Sequence, residues 1–308
     1  MHPAPSIIVF TTLSGLGYGL AAVLGLGLVD PSALATKVAH VLALVLIAAG
    51  LSASTLHLGN PQRAWRALSQ WRSSWLSREG VMAILTFVPL VVSAWASLFE
   101  GRYLPTVGIV GTVMCMVTVY CTAMIYASLQ SVQAWHTKLT PLCYRLFAIA
   151  GGFVLAAFFA LCGGGNGVAM CLLALLFLIA AWVAKVFWRR NMLQAAPLSS
   201  PESATGLGNI GRVRLLERPH AMENYLTREM GFKVARKHAA KLWKLAFAAG
   251  GVIPAVLMLA LLPLAGGPSL FAAMLAGLAV VFHLLGMMVE RWLFFAEARH
   301  AVMNYYGG

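Results

Sequence analysis

The chain has 308 residues, 60% of them apolar and only 10% charged, against roughly 25% charged in a soluble domain. This excludes a water-soluble globule, a disordered tail and a disulfide scaffold, and the apolar runs of about twenty residues mark a polytopic membrane protein. The net charge of +13 would suggest nucleic acid in a soluble chain; here it reports orientation in the bilayer, and no nucleic-acid partner is expected.

In chain order, eight apolar spans are predicted at residues 6–29, 37–58, 80–99, 106–129, 145–162, 168–188, 245–264 and 269–289. Each is close to the ~20 residues a helix needs to cross about 30 Å of hydrocarbon. The expected fold is therefore all-α, one integral membrane domain over residues 1–308 with eight transmembrane helices. The start Met1-His-Pro-Ala-Pro5 has no cationic region and the first span is long for a signal peptide, so it is read as a helix. Inside it, Gly15-Leu-Gly17-Tyr-Gly19 has no strand before it and is not a dinucleotide loop. Glycines four apart, as at 15 and 19, instead allow a neighbouring helix to approach closely. Spans five and six are joined by the tight turn Gly163-Gly-Gly-Asn166-Gly167.

Charge asymmetry gives the topology. The connections after spans two, four and six carry Arg63, Arg66, Arg72 and Arg78, then Lys138 and Arg145, then eleven Lys/Arg with four Glu between Arg189 and Lys244. The odd connections hold only Lys37 and Arg102. The positive-inside rule places the even connections and both termini in the cytoplasm. The segment 191–243 is a polar insertion with a Pro/Ser/Gly-rich start and an amphipathic helix predicted over 223–243. It reads either as a solvated linker against anionic headgroups or as a dock for a soluble partner.

Much chemistry is missing. Cys115, Cys121, Cys143, Cys162 and Cys171 form no C-x-x-C and no iron–sulfur spacing, and read as small buried residues. There is no P-loop and no H-E-x-x-H. A b-type haem needs only axial histidines, for which His40, His57, His136 and His283 are the candidates. His40 and His57 lie roughly 25 Å apart along one span, and His283 and His57 sit about 5 and 14 Å from the midplane, so no pair on two helices matches well in depth.

The informative stretch is Ser54-Thr-Leu-His57-Leu-Gly-Asn-Pro-Gln-Arg63-Ala-Trp65-Arg66-Ala-Leu-Ser-Gln-Trp71-Arg72-Ser-Ser-Trp75-Leu-Ser-Arg78-Glu79-Gly80. Asn60 then Pro61 predicts a helix start. Ala64, Leu68, Trp71 and Trp75 then make one stripe of a short helix, with Arg63, Arg66 and Arg72 off it. Such a helix suits the membrane–water boundary, so 59–78 is read as an interfacial loop and helix. It would bring His57, ending span two, level with Glu79, opening span three. A carboxyl at a hydrocarbon boundary can trade protons near neutral pH, and an imidazole can bond a carbonyl and shuttle a proton. A quinone headgroup reached from the lipid needs such partners. The plainer reading is that Glu79 pairs with Arg78 or Arg63 and that His57 merely ends a helix. A transporter remains the reading from another class, although no internal repeat is visible and ionisable residues sit at span edges.

The block His57-Leu-Gly-Asn-Pro61, Arg63-Ala-Trp65 and Trp71-Arg72-Ser-Ser-Trp75-Leu-Ser-Arg78-Glu79 resembles the membrane anchor subunit of dimethyl sulfoxide reductase, and the eight spans agree over the whole chain. The resemblance implies a subunit in the bacterial cytoplasmic membrane that exchanges electrons with menaquinol or another quinone. It would be bound to a four-cluster iron–sulfur subunit and a molybdenum bis-pterin catalytic subunit. The family's quinone-site histidine and glutamate would fall on His57 and Glu79, with Arg63, Arg66, Trp71, Arg72 and Arg78 around them. Gly211-Arg-Val-Arg-Leu-Leu-Glu217-Arg-Pro-His220 through Glu223-Asn-Tyr225 and Arg228-Glu229-Met-Gly231-Phe resembles the anchors of cytoplasm-facing sulfite dehydrogenase. So does the ending Glu290-Arg-Trp-Leu-Phe-Phe-Ala-Glu297-Ala-Arg299-His300. That branch carries electrons from sulfite to quinone.

Overall fold

The computed structural model describes residues 3–56, 60–197, 199–214, 216–217 and 234–305. Among the described residues, eight helical segments are long and apolar enough to cross a membrane. The first two are α1 (Pro5–Gly25) and α2 (Leu34–Thr55). A 3-10 helix (Pro61–Leu68) leads to α3 (Trp75–Trp95), followed by α4 (Pro105–Ala127), α5 (Leu139–Phe159) and α6 (Gly167–Gln194). A single turn, α7 (Pro201–Thr205), lies in the polar insertion. The seventh crossing is α8 (Val234–Phe247) and α9 (Ile253–Leu261), joined by a π turn at Ala248–Val252. The last crossing is α10 (Leu270–Ala296).

The helix starts follow the sequence chemistry. Proline opens α1 and α4, where its missing N–H would be unbonded in any case. Ser74, Asn166 and Ser269 accept hydrogen bonds from backbone N–H groups of α3, α6 and α10. The α5–α6 turn needs glycine, since Gly163 and Gly165 have φ of 104° and 148°.

Burial separates central helices from peripheral ones: most residues of α1 and α5 are buried, but few of α2. Val45, Val88, Ile109, Val113, Leu176 and Ile179 face outward, as lipid-facing residues of such a bundle must. The centre is a close backbone approach. A Cβ on Gly19 would lie 1.8 Å from the Ala148 carbonyl oxygen, and one on Gly152 would lie 2.3 Å from the Gly19 carbonyl carbon. Gly15, expected to share that role, has open space where its Cβ would be.

Both ends are tied. At one, Asp30 N–H donates to Gly164 O (2.8 Å), Ser97 Oγ to Pro31 O (2.8 Å) and Tyr103 OH to Gly25 O (2.8 Å). Asp30 itself accepts from the Ser32 hydroxyl and N–H, which hold its carboxyl below the usual range. At the other end, Ala301 N–H donates to Ser131 O (2.8 Å), Gln133 Nε2 to Ala196 O (2.9 Å) and Asn304 Nδ2 to Ser199 Oγ (2.9 Å). The C-terminal segment, the α4–α5 connection and the start of the insertion therefore form one surface.

Three boundaries differ from those expected. The seventh span continues without a break from α8, so the amphipathic stretch after residue 233 is the base of a crossing helix; 223–233 lie outside the described residues. The eighth span runs on to Ala296, because Glu290 and Arg291 find buried partners and need not end it. The chain after Asn60 is a 3-10 helix ending at Leu68, and Trp75 opens α3 instead. The stripe is thus split, with Ala64 and Leu68 in the 3-10 helix, Trp71 in the turn and Trp75 in α3, and the Asn60 side chain makes no cap.

Gly19→Ala should force α1 from α5 and destabilise the protein by at least about 1–3 kcal/mol. Gly15→Ala should be tolerated. Thermal unfolding of the two variants in detergent, monitored side by side, checks the contrast.

Candidate functional site

The region 60–80 is organised by Arg78. Its Nε donates to Trp71 O (3.0 Å) and its Nη2 to Arg72 O (2.6 Å), while the guanidinium lies 4.3 Å from the Trp75 ring centroid. One planar cation thereby fixes the turn entering α3. Ser77 Oγ donates to Ala67 O, and Gly80 sits under Leu68, so the 3-10 helix lies on the first turns of α3.

The predicted site residues then separate. Arg63, Arg66, Trp71 and Arg72 are exposed, with Arg66 and Arg72 each 5.5 Å from the adjacent Trp65 or Trp71 ring. This mixture of exposed indoles and guanidinia is that of an interfacial segment. Glu79 turns the other way and is 4% exposed. His57 lies outside the described residues; the residues on either side of it, Leu56 and Asn60, bracket the connection from α2 to the 3-10 helix.

Glu79 makes no ion pair among the described residues, so the alternative pairing with Arg78 or Arg63 is not formed: Arg78 is engaged with carbonyls and Arg63 is exposed. Its partner is Thr122 on α4, Oγ1 to Oε1 2.5 Å. Thr122 Oγ1 also lies 3.1 Å from Thr118 O. A hydroxyl has one proton and two lone pairs. It donates to Glu79 when the acid is ionised, and accepts from Glu79 while donating to Thr118 O when the acid is protonated. The contact serves both states, as a proton-exchanging carboxyl requires.

The larger surprise lies deeper. Lys185 Nζ stands 2.5 Å from Glu290 Oε1, and Arg291 Nη1 stands 3.5 Å from Glu290 Oε2, all three side chains buried. Lys185 lies about 14 Å and Glu290 about 9 Å from the ends of their helices at 1.5 Å per residue. Ionisable groups are therefore not confined to span edges. One turn nearer the end, Arg189 grips Glu297 with two parallel bonds of 2.8 and 2.9 Å. Burial raises the Glu297 carboxyl above its usual range, although Arg189 opposes this. A signal for this cluster was present: Lys185 and Arg189 are four apart, Glu290 and Glu297 seven apart, so each pair shares a helix face.

Of the haem candidates, His57 lies outside the described residues. His283 Nδ1 is 2.8 Å from Gly250 O, and a Cβ on Gly151 would lie 3.2 Å from its Nε2, so the α5 backbone covers the atom an iron would need. His40 lines a cavity of about 10 Å³, the room of roughly one water. His136 Nδ1 lies 2.7 Å from Ala127 O. Among the described residues no three His, Cys, Asp or Glu side chains converge as a metal site.

An eight-helix membrane subunit, with a buried acid at one interface and three of its loop segments joined into one surface, is an anchor on which soluble subunits can sit. The chain belongs to the DMSO reductase anchor subunit (DmsC) family, whose model matches residues 1–296. It is similar to the C subunit of sulfite dehydrogenase from Allochromatium vinosum, 31% identical over 99% of each sequence. It is also similar to the C polypeptide of anaerobic dimethyl sulfoxide reductase from Escherichia coli K12, 29% identical over 52% of this sequence and 56% of that one. No solved structure matches. Membership places the protein among anchor subunits of oxidoreductase complexes and sets the transporter reading aside.

Arg78→Lys keeps the charge but cannot serve both carbonyls and the indole. It should destabilise the linker by about 2 kcal/mol, seen as faster limited proteolysis between residues 60 and 75 in the purified complex.

Proposed function

We propose that this protein is the quinone-reactive anchor of a molybdenum and iron–sulfur oxidoreductase in the bacterial cytoplasmic membrane, with both termini and the even connections in the cytoplasm. The reaction is sulfite oxidation coupled to quinone reduction. The observation that carries this reading is Glu79, turned inward at one interface with a hydroxyl partner that suits both of its protonation states. The exposed Trp/Arg segment outside it is suited to lateral entry of a lipid-borne headgroup. A bound quinone supplies two oxygens that take up two electrons and two protons.

In this reading Glu79 bonds one quinone oxygen and transfers a proton to it, and Thr122 holds the carboxyl in position. His57 serves the second oxygen. Arg78 fixes the turn that aims Glu79, while Arg63, Arg66, Trp71 and Arg72 line the approach at the headgroup level. The sequence has no cysteine spacing for an iron–sulfur cluster, so electrons arrive from a partner. That partner is an iron–sulfur subunit with four clusters, served by a molybdopterin catalytic subunit. Its dock is the loop surface of residues 59–78, 130–144 and 189–243. A groove of about 550 Å³ there is lined by Gln130, Gln133, Arg189, Glu297, Arg299 and His300, among others. No haem is assigned, because His283 is covered by α5.

Sulfite is favoured over dimethyl sulfoxide as substrate because the likeness to the sulfite dehydrogenase protein runs the length of both sequences, while that to the reductase protein extends over about half. Glu79→Gln in the assembled complex should lower quinone-coupled sulfite turnover by roughly 10²–10⁴-fold, with turnover to an artificial dye retained. Equal quinone turnover in variant and wild type would remove the assignment. Reduction of dimethyl sulfoxide by quinol, without sulfite activity, would reverse the choice of substrate.

A further inference from the structure

Beside Thr122, the partner of Glu79, lies a small chamber of about 20 Å³ between α1, α4, α5 and α10, lined by Thr12, Gly15, Tyr18, Thr122, Tyr144 and Arg291, among others. That is room for about one water. Four buried polar atoms at this chamber, Thr12 Oγ1, Tyr18 OH, Tyr144 OH and Arg291 Nε, have no hydrogen-bond partner among the described residues. Their neighbours Thr11 and Ser14 by contrast bond back to carbonyls of α1. Buried polar groups left unpaired cost about 1–3 kcal/mol each, and four on residues that line one cavity call for an explanation.

The chamber's walls join two features already described. Thr122, on one side, is the hydrogen-bond partner of Glu79. Arg291, on another, stands 3.5 Å from Glu290, which is held by Lys185 at 2.5 Å. The guanidinium of Arg291 also lies 3.9 Å from the Tyr144 ring centroid. Toward the helix ends, Arg189 and Glu297 repeat the base–acid rung on the same two helices, and both line the open groove at the loop surface. Three charges held in the membrane are costly and mark function more often than stability.

We propose that these groups form a proton relay running from the groove, past Arg189–Glu297, through Lys185–Glu290–Arg291 and the chamber hydroxyls of Tyr144, Tyr18 and Thr12, to Thr122 and Glu79. It rests on the quinone reading of Glu79. Each quinone reduced takes two electrons from the partner iron–sulfur subunit and two protons, one of them delivered by Glu79 to the oxygen it bonds. When Glu79 gives its proton to a quinone oxygen it is left as a carboxylate. The hydroxyls, which both donate and accept, pass a proton toward it, each losing one and gaining one. Glu290 supplies that proton as the neutral acid, formed when the Lys185 ammonium protonates it. The Lys185 amine then recovers a proton from the groove. Arg291 keeps its charge throughout and holds Glu290 in place. For each proton that crosses, every group returns to its starting state.

The test uses the assembled complex in lipid nanodiscs, with sulfite as donor and either quinone or an artificial dye as acceptor, in H₂O and D₂O. The doubly substituted Tyr18→Phe/Tyr144→Phe protein removes two hydroxyls and keeps both rings. Its kcat with quinone should fall by roughly ten- to a hundred-fold relative to its kcat with dye, with the quinone KM held and the solvent isotope effect enlarged. Thr12→Val, the gentler change, should move the same ratio in the same direction if the double substitution hinders assembly. A wild-type ratio and isotope effect in these variants, with Glu79→Gln inactive toward quinone, overturns the relay alone. A Glu79→Gln protein with full quinone turnover overturns the site on which the relay rests.

Discussion

A charge inside hydrocarbon must be compensated by the protein itself, because no water is present to do it. That constraint decides most of what is distinctive in this bundle. Lys185, Glu290 and Arg291 share one buried cluster, so two membrane helices carry ionic groups well inside their ends. Arg189 and Glu297 do the same one turn further out. Glu79 is the exception: among the described residues it is buried without a cation and held by a single hydroxyl. A carboxyl so placed has no paired cation to tie it to one protonation state.

The remaining architecture serves to hold these groups in register. Glycine-mediated contact between α1 and α5 draws the central helices close, and the same helices wall the chamber that lies between Thr122 and Arg291. Gly250 and Gly286 likewise let α10 approach the π turn of the seventh span. Close backbone packing compensates for the weak drive to associate in lipid, where tails are as apolar as leucine. At the interface, Arg78 replaces a longer regular element: two carbonyl bonds and one indole face organise the turn that orients Glu79.

The candidate site was only partly legible in the sequence. Glu79 stood out because it would lie level with His57 at the membrane boundary and because its surroundings resemble a family block. The stripe of Ala64, Leu68, Trp71 and Trp75 gave the right environment and the wrong element, since a helical period was assumed across residues 69–74, where hydrogen bonding to Arg78 prevails over it. Glu290 was read as a span edge because an acid and an arginine in succession look like an exit from the membrane. Lys185 was overlooked as one cation in an apolar run. Neither residue announces its partner, which lies more than a hundred positions away on another helix.

What the sequence determined by itself was whatever depends on local composition: eight crossings, their approximate limits, the charge asymmetry between the two ends, and the family block at 57–79. Hydropathy and helix length are sums over neighbouring residues, and they carry over into structure almost unchanged. What only the tertiary structure decided was which polar groups meet. Glu79 with Thr122, Lys185 with Glu290, and the hydroxyls converging on one chamber depend on the rotation and spacing of helices. Those are set by side-chain packing between distant segments, which no local period records.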